Sequence, residues 1–354
     1  MNRLGESVKD ALEGAEGAGL WVGGEGLAVF AAALGSVAAG AARALLSGPA
    51  DPDGDSIAAC LALADALRAL GCAEVVVAGR PGHRYAWMPG AEGMVPDEAI
   101  GADSDRPFSL AVVLDGERAR LHPAVRTAFD AAPVRVLVDH HRSSQPDGYQ
   151  LALVAPESAS TAELVLHLMD AWGLPLGPAA AAQLYTGLLF DTGGFRHSNT
   201  RPETLRTAAR LLEQGIDHNA ISLRVLYERR EPALRLLGRA LGTARRSGEG
   251  GALGWVRFTD FGELHADYSD LEGVVDHLLH IEGVELAALF IERAPGQVRL
   301  SLRSRARVDV SALARTLDPR GGGHRRAAGC VREGPLEQVI AEVEPALRAA
   351  LQAG

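Results

Sequence analysis

The chain has 354 residues, 47% hydrophobic and 23% charged, which is ordinary globular usage and, at roughly 100–200 residues per domain, enough for two cores. Its net charge of −10 argues against a scaffold for long nucleic acid, which needs an extended basic face to neutralise phosphates. Three cysteines, Cys60, Cys72 and Cys330, give neither a disulfide framework nor a zinc pattern and read as buried thiols of a reducing compartment.

Residues 1–40 read as an N-terminal helical extension. The Ala/Leu-rich stretch 27–46 is broken by Gly35, Gly40 and Arg43 and follows acidic residues, which suits neither a signal peptide nor a membrane span. A cytoplasmic protein is expected. Residues 42–46 form a short apolar run, followed by the polar loop DPDGDS and a helical pattern over 57–70. A β-branched run follows at 74–78. LAVVL at 110–114 ends in Asp115, and VRVLV at 134–138 ends in Asp139, His140 and His141. Continuous apolar runs of this length, separated by helical segments, predict a parallel sheet covered on both faces.

Residues 160–171 and 178–190 read as helices, the second delivering Asp191 at its end. A third helix over 203–214 stops at Gly215, and 216–240 reads as a linker helix. Beyond 241 the texture changes: strands at 255–258, 285–291 and 298–302 mix with helices at 271–281, 310–317 and 336–351. The fold class expected is α/β, with a doubly wound, mainly parallel N-terminal sheet over 41–215. A smaller α/β domain over 241–354 follows, with the active site in the cleft between them.

Ligands in parallel α/β proteins bind beyond the carboxyl ends of the strands. Asp53, Asp55, Asp115, Asp139, His140, His141 and Asp191 are all expected there. Carboxylates brought so close raise one another's pKa values, and a divalent cation removes that penalty. A mixed carboxylate and imidazole set suits Mn²⁺ better than Mg²⁺, with one or two ions expected and Mg²⁺ or Co²⁺ as substitutes. For any one Asp after a strand the plain reading is a helix cap, but that reading does not cover so many at one edge. The second group is Gly321, Gly322, Gly323 and His324, where glycines let backbone N–H groups approach an anion. Arg303 in the strand before it is placed to meet phosphate or a purine edge. Arg196, near Asp191, is a further phosphate contact. Residues 80–87 read as a packed surface loop, Glu163 as a capping-box residue, and His277 and His280 as structural.

With DPDGDS, LDG at 114–116, VDHH at 138–141, DTGGFRHSNT at 191–200, SLRS at 301–304 and GGGHRRAAG at 321–329, the chain resembles the DHH phosphoesterases that carry a DHH-associated C-terminal domain. That resemblance implies a metal-binding catalytic domain and a substrate-binding C-terminal domain. It implies Asp55, Asp115, His140 and Asp191 on one metal, and Asp53 with the bridging Asp115 on a second. It also implies His141 and Asp115 as catalytic groups, His141 either behind a metal ligand or in contact with a phosphate, and substrate contacts from Arg303, Gly322, Gly323 and His324. The family's second-metal histidine, four residues before Asp53, is Pro49 here. The reaction implied is metal-assisted hydrolysis of very short RNA or of 3′-phosphoadenosine 5′-phosphate (pAp). The enzymatic alternative is a phosphodiesterase for pApA or cyclic di-AMP. The alternative from another class is a regulatory nucleotide-binding protein with a weakened metal centre. Small nucleotides, no long duplex, no membrane and a homodimer are expected as partners. A family II pyrophosphatase, which lacks the GGGH segment, is disfavoured.

Overall fold

The computed structural model describes residues 20–101 and 106–353, with the backbone alone for His324. The chain divides into two compact units, and the break falls between Glu228 and Arg229.

The first unit is built on six strands: β1 (Leu20–Val22), β2 (Ala44–Ser47), β3 (Val75–Val77), β4 (Leu110–Leu114), β5 (Val134–Asp139) and β6 (Leu151–Val154). Their order is β1-β6-β5-β4-β2-β3, with every pairing parallel. Both faces are buried, which explains the unbroken apolar runs. Ala44, Leu46, Val112, Leu114, Val136 and Val138 point to one core, and Leu45, Ala111, Val113 and Leu137 to the other. The first core is closed by α1 (Leu27–Gly40), α2 (Gly54–Ala69), α4 (Thr161–Ala171), α5 (Pro178–Asp191) and α6 (Pro202–Leu212), and the second by α3 (Pro123–Ala131).

From β2 the chain steps outward to β3 and then crosses to β4 on the other side of β2. The order therefore reverses between β2 and β4, and a crevice opens beyond their carboxyl ends. The loop after β2 carries Asp53 and Asp55, and the turn after β4 starts at Asp115. Helix α2 begins in that crevice because Asp53 caps it, accepting from the amides of Asp55 and Ser56, both at 3.1 Å. Nearly all of α2 is buried, so its Ala/Leu sequence is apolar on every side.

The second unit holds a sheet of β7 (Arg245–Arg246), β8 (Gly251–Val256), β9 (Leu286–Ala294), β10 (Gln297–Ser304), β11 (Gly322–His324) and β12 (Ala327–Glu333). The order is β11-β12-β10-β9-β8-β7, antiparallel except for β8 with β9. One face packs on α9 (Val310–Leu317) and α10 (Leu336–Ala353). The other packs on α7 (Glu231–Gly242) and α8 (Val274–Leu279).

Two segments differ from the sequence reading. The stretch before residue 40 is not all helix: Leu20–Val22 is a strand that extends the sheet beside β6, while residues 1–19 lie outside the described residues. Residues 216–240 are not one linker helix. The chain forms the short helix His218–Ser222 and a π-turn at Leu223–Tyr227 in the first unit. It then enters α7, whose Leu236 and Ala240 are buried in the second unit's core. Among the described residues, no helix is long and apolar enough to cross a membrane.

Candidate metal centre

Four chain segments bring acidic and imidazole groups together in the crevice beyond β2 and β4. Ligand atoms of Asp55, His140 and Asp191 lie within 4.8 Å of one another, as do those of Asp115, His140 and His141. His140 is common to both groups. Its Nε2 is 3.0 Å from Asp191 Oδ2 and 3.6 Å from Asp115 Oδ1. That nitrogen is fully buried and lacks a well-aligned hydrogen bond, while Nδ1 lies 3.4 Å from the Ser158 carbonyl.

Each carboxylate is placed by a different device. Asp55 is completely buried, and its two oxygens accept from the amides of Thr161 (2.7 Å) and Ala162 (2.9 Å) at the start of α4. Asp115 sits just past β4 at φ 59°, left-handed backbone that a non-glycine residue adopts at some cost. Its Oδ1 accepts from the Thr161 hydroxyl at 3.1 Å. Asp191 closes α5, and its carbonyl accepts from Asn199 Nδ2 at 3.2 Å and contacts His197 Nδ1 at 3.0 Å. Asp53 is occupied as the cap of α2 and belongs to neither cluster.

The electrostatics follow from this crowding. Burial, then repulsion from Asp55 and Asp191, pushes the Asp115 carboxyl well above the carboxylate range. Burial, then Asp191, does the same to Asp55; burial, then Asp115, raises Asp53. For His140, burial works to lower the pKa, but contact with Asp191 and the surrounding negative charge outweigh it and raise it to about 10. Buried acidic groups facing a misaligned imidazole nitrogen make a site that needs positive charge among them. The set of hard carboxylate oxygens plus one imidazole fits a divalent cation.

Asp139, read from sequence with the converging acids, has another task. It is fully buried, accepts from the His141 amide at 3.1 Å, meets His141 Nδ1 at 2.8 Å and accepts from the Ser144 hydroxyl. It orients His141 instead of facing the cluster. Glu163 caps α4 in a modified way: Ser160 accepts from its amide, but its carboxylate reaches the Ala159 amide (2.8 Å) and the Ser158 hydroxyl (3.0 Å). Sequence reasoning missed Thr161 as a partner of Asp115, and Gly187. A Cβ at Gly187 would stand 2.5 Å from Asp55 Oδ1 and 2.7 Å from Ala162 Cβ. A glycine late in an otherwise good helix former was the available signal for the second.

Of the other expected residues, Arg196 follows Asp191 in the first unit, and the rest lie on the second unit. Arg196 is exposed and donates from Nε to the Gly193 carbonyl at 2.7 Å. Arg303 lies on β10 with Nε 3.1 Å from Asp276 Oδ1. Gly322, Gly323 and the backbone of His324 form β11, paired with Gly329, Ala328 and Ala327.

Residues 44–188 match the DHH family N-terminal domain, and residues 257–353 match the DHHA1 domain. The chain is 32% identical over 300 residues to the bifunctional oligoribonuclease and PAP phosphatase NrnA of Thermus thermophilus, spanning 84% of this chain and 87% of that one. The chain belongs to the DHH family. NrnA of Bacillus subtilis is 28% identical over 54% of this chain and 60% of its own length. A solved exopolyphosphatase-related protein from Bacteroides fragilis superposes with a TM-score of 0.83 at 26% identity, covering 90% of this chain and 96% of that one. RecJ from Thermus thermophilus, solved with Mn²⁺, shares the fold at a TM-score of 0.56 and 17% identity, over 93% of this chain and 55% of that one.

In this DHH protein, position 49 carries a proline whose Cγ lies 3.0 Å from where a Cβ on Gly116 would stand, beside the backbone of Asp115. Its ring offers no ligand atom.

Proposed function

We propose that the protein is a metal-dependent phosphoesterase that removes mononucleotides from very short RNA and the 3′ phosphate from pAp. The convergence of Asp55, Asp115, His140 and Asp191 supports this reading most strongly, with the likeness to NrnA giving the substrate class.

Asp55, Asp115, His140 and Asp191 would hold the first cation, with Asp53 and Asp115 contributing to a second. Manganese is the metal that the mixed oxygen and nitrogen set favours. A divalent cation held there supplies Lewis acidity and positive charge to a phosphoryl group. Thr161 and the α4 amides fix the Asp115 and Asp55 oxygens, so little reorganisation is needed when substrate binds. Asp139 fixes His141 through Nδ1, so a contact to a phosphoryl oxygen would be made through Nε2. In the second unit, Arg303 would meet a phosphate through its guanidinium NH groups while Asp276 holds Nε. Gly322, Gly323 and His324 would offer backbone and imidazole donors, with Arg196 a further phosphate contact.

The test is turnover by the purified protein. Release of phosphate from pAp and of mononucleotides from two- to five-residue RNAs is expected with Mn²⁺ and lost with chelator. No turnover of either substrate with Mn²⁺, Mg²⁺ or Co²⁺ would end this reading.

A further inference from the structure

A groove of about 610 Å³ runs along the second unit, with Gly322 of the glycine segment in its lining. Its lining includes Gln297 and Arg299 of β10 and Gly329, Val331 and Glu333 of β12, on the sheet face opposite α9 and α10. On β10 burial alternates: Val298, Leu300 and Leu302 are buried, while Gln297, Arg299, Ser301 and Arg303 are half-exposed. On β12 the partners of this set are Glu333, Val331, Gly329 and Ala327, none of them buried. Arg303 stands at one end of this face, and Arg299 lies four residues along the same strand, about 13 Å away at the usual strand rise.

Arg299 does not stand alone. Its guanidinium carbon is 5.5 Å from the centre of the Tyr268 ring, and that of Arg293, from the neighbouring strand β9, is 4.4 Å from it. Neither arginine is engaged by a carboxylate among the described residues. The ring fixes two cations side by side without neutralising either, which lowers the entropy lost when they meet an anion. Arg320 joins the groove from the loop before β11. There Asp318 accepts from the Arg320 amide (3.0 Å) and contacts its Nε (3.3 Å), so this carboxylate is used in holding the turn. Gly322 lines the same groove, and a Cβ there would meet nothing within 4 Å. Asp318 pairs with Arg320 and Glu333 also lines the groove, so its excess positive charge rests on Arg293 and Arg299, which in a chain of net charge −10 favours an anion such as a backbone phosphate.

We propose that Arg293, Arg299 and Arg320 form a second phosphate-binding site, which holds the trailing backbone phosphates of an oligoribonucleotide beyond the nucleotide held by Arg303 and the glycine segment. The site rests on the proposed function for its substrate class. It adds a length dependence: an oligomer reaches the groove, and pAp is too short to reach it.

The test compares wild type, Arg299→Gln and the Arg293→Gln/Arg299→Gln double variant on a tetraribonucleotide and on pAp. The ratio of kcat/KM for the tetramer to that for pAp is expected to fall about tenfold or more, mainly through KM, with partial recovery in Arg299→Lys. An unchanged ratio, or a parallel fall on both substrates, would overturn the proposal. If wild type hydrolyses neither substrate, the proposed function fails while the groove stays testable. Pentaribonucleotide binding in chelator should then be about tenfold weaker in the double variant, and equal binding would overturn the site.

Discussion

Gly187 on α5 faces Asp55 on α2 so closely that a single added carbon would stand 2.5 Å from Asp55 Oδ1. The two helices meet at that point, and the approach lets the Asp55 oxygens reach the amides of α4 while the carboxylate still faces His140. Packing and site geometry are therefore one constraint. Gly187→Ala should destabilise the protein by about 1–3 kcal/mol through overpacking. It should also weaken Mn²⁺ binding, because Asp55 must move. Calorimetric titration of Mn²⁺ into the folded variant checks this. An affinity equal to wild type would show that Asp55 tolerates the shift.

Thr161 links the same helix start to the other buried carboxylate. Thr161→Val keeps the shape and removes the hydroxyl that donates to Asp115. A lost donor behind a metal ligand costs roughly 10–100-fold in metal affinity or activity. Thr161→Ser should restore most of it. A drop in stability without a drop in affinity would mean that the hydroxyl only fills space.

Pro49 bears on how many ions the site holds. Asp53 is engaged at the start of α2, and no imidazole stands at position 49. The expectation is one tightly bound Mn²⁺ per chain, rising toward two in Pro49→His, read as metal content after desalting. Two retained ions in wild type would show that other groups complete the second position. A marked rise in turnover of Pro49→His from near zero would favour a regulatory nucleotide binder as the native role.

Glu344 gives a pH-dependent prediction independent of the metal. It is buried in the second unit, and hydrogen bonds from Arg245, Ser247 and Arg348, working against its burial, hold its pKa down to about 2. A depressed folded-state pKa contributes stability that is fully present above the ordinary carboxyl value and lost as pH falls through about 2. Because Arg245 and Arg348 are about half exposed, the contribution is about 1–2 kcal/mol after screening. Glu344→Gln should therefore unfold at lower denaturant than wild type at pH 6, and the gap should shrink between pH 4 and pH 2. A gap independent of pH would assign the effect to packing.

Much of this was legible in the sequence for a physical reason. A buried parallel strand has to be apolar at every position, so LAVVL and VRVLV announce themselves, and the acidic or imidazole residue after each marks the carboxyl end. The strand Leu20–Val22 escaped because three residues at a sheet edge carry too short a pattern. In sequence, helix α7 reads as a linker because its apolar stripe gains meaning only from β8 and β9, which follow later in the chain. Asp139 and Asp115 look alike in sequence, each an aspartate after a strand. What separates them is the left-handed backbone at Asp115 and the His141 and Ser144 partners of Asp139, neither of which has a local signature. The Asp276 partner of Arg303 lies 27 residues away and was equally hidden.

The central claim is that Asp55, Asp115, His140 and Asp191 share a cation. Anomalous diffraction at the manganese edge, from crystals of the protein grown with Mn²⁺, tests it directly. The account predicts a peak at bonding distance from His140 Nε2 and from oxygens of Asp55, Asp115 and Asp191. An empty position there, with Mn²⁺ bound only elsewhere on the chain, would contradict it.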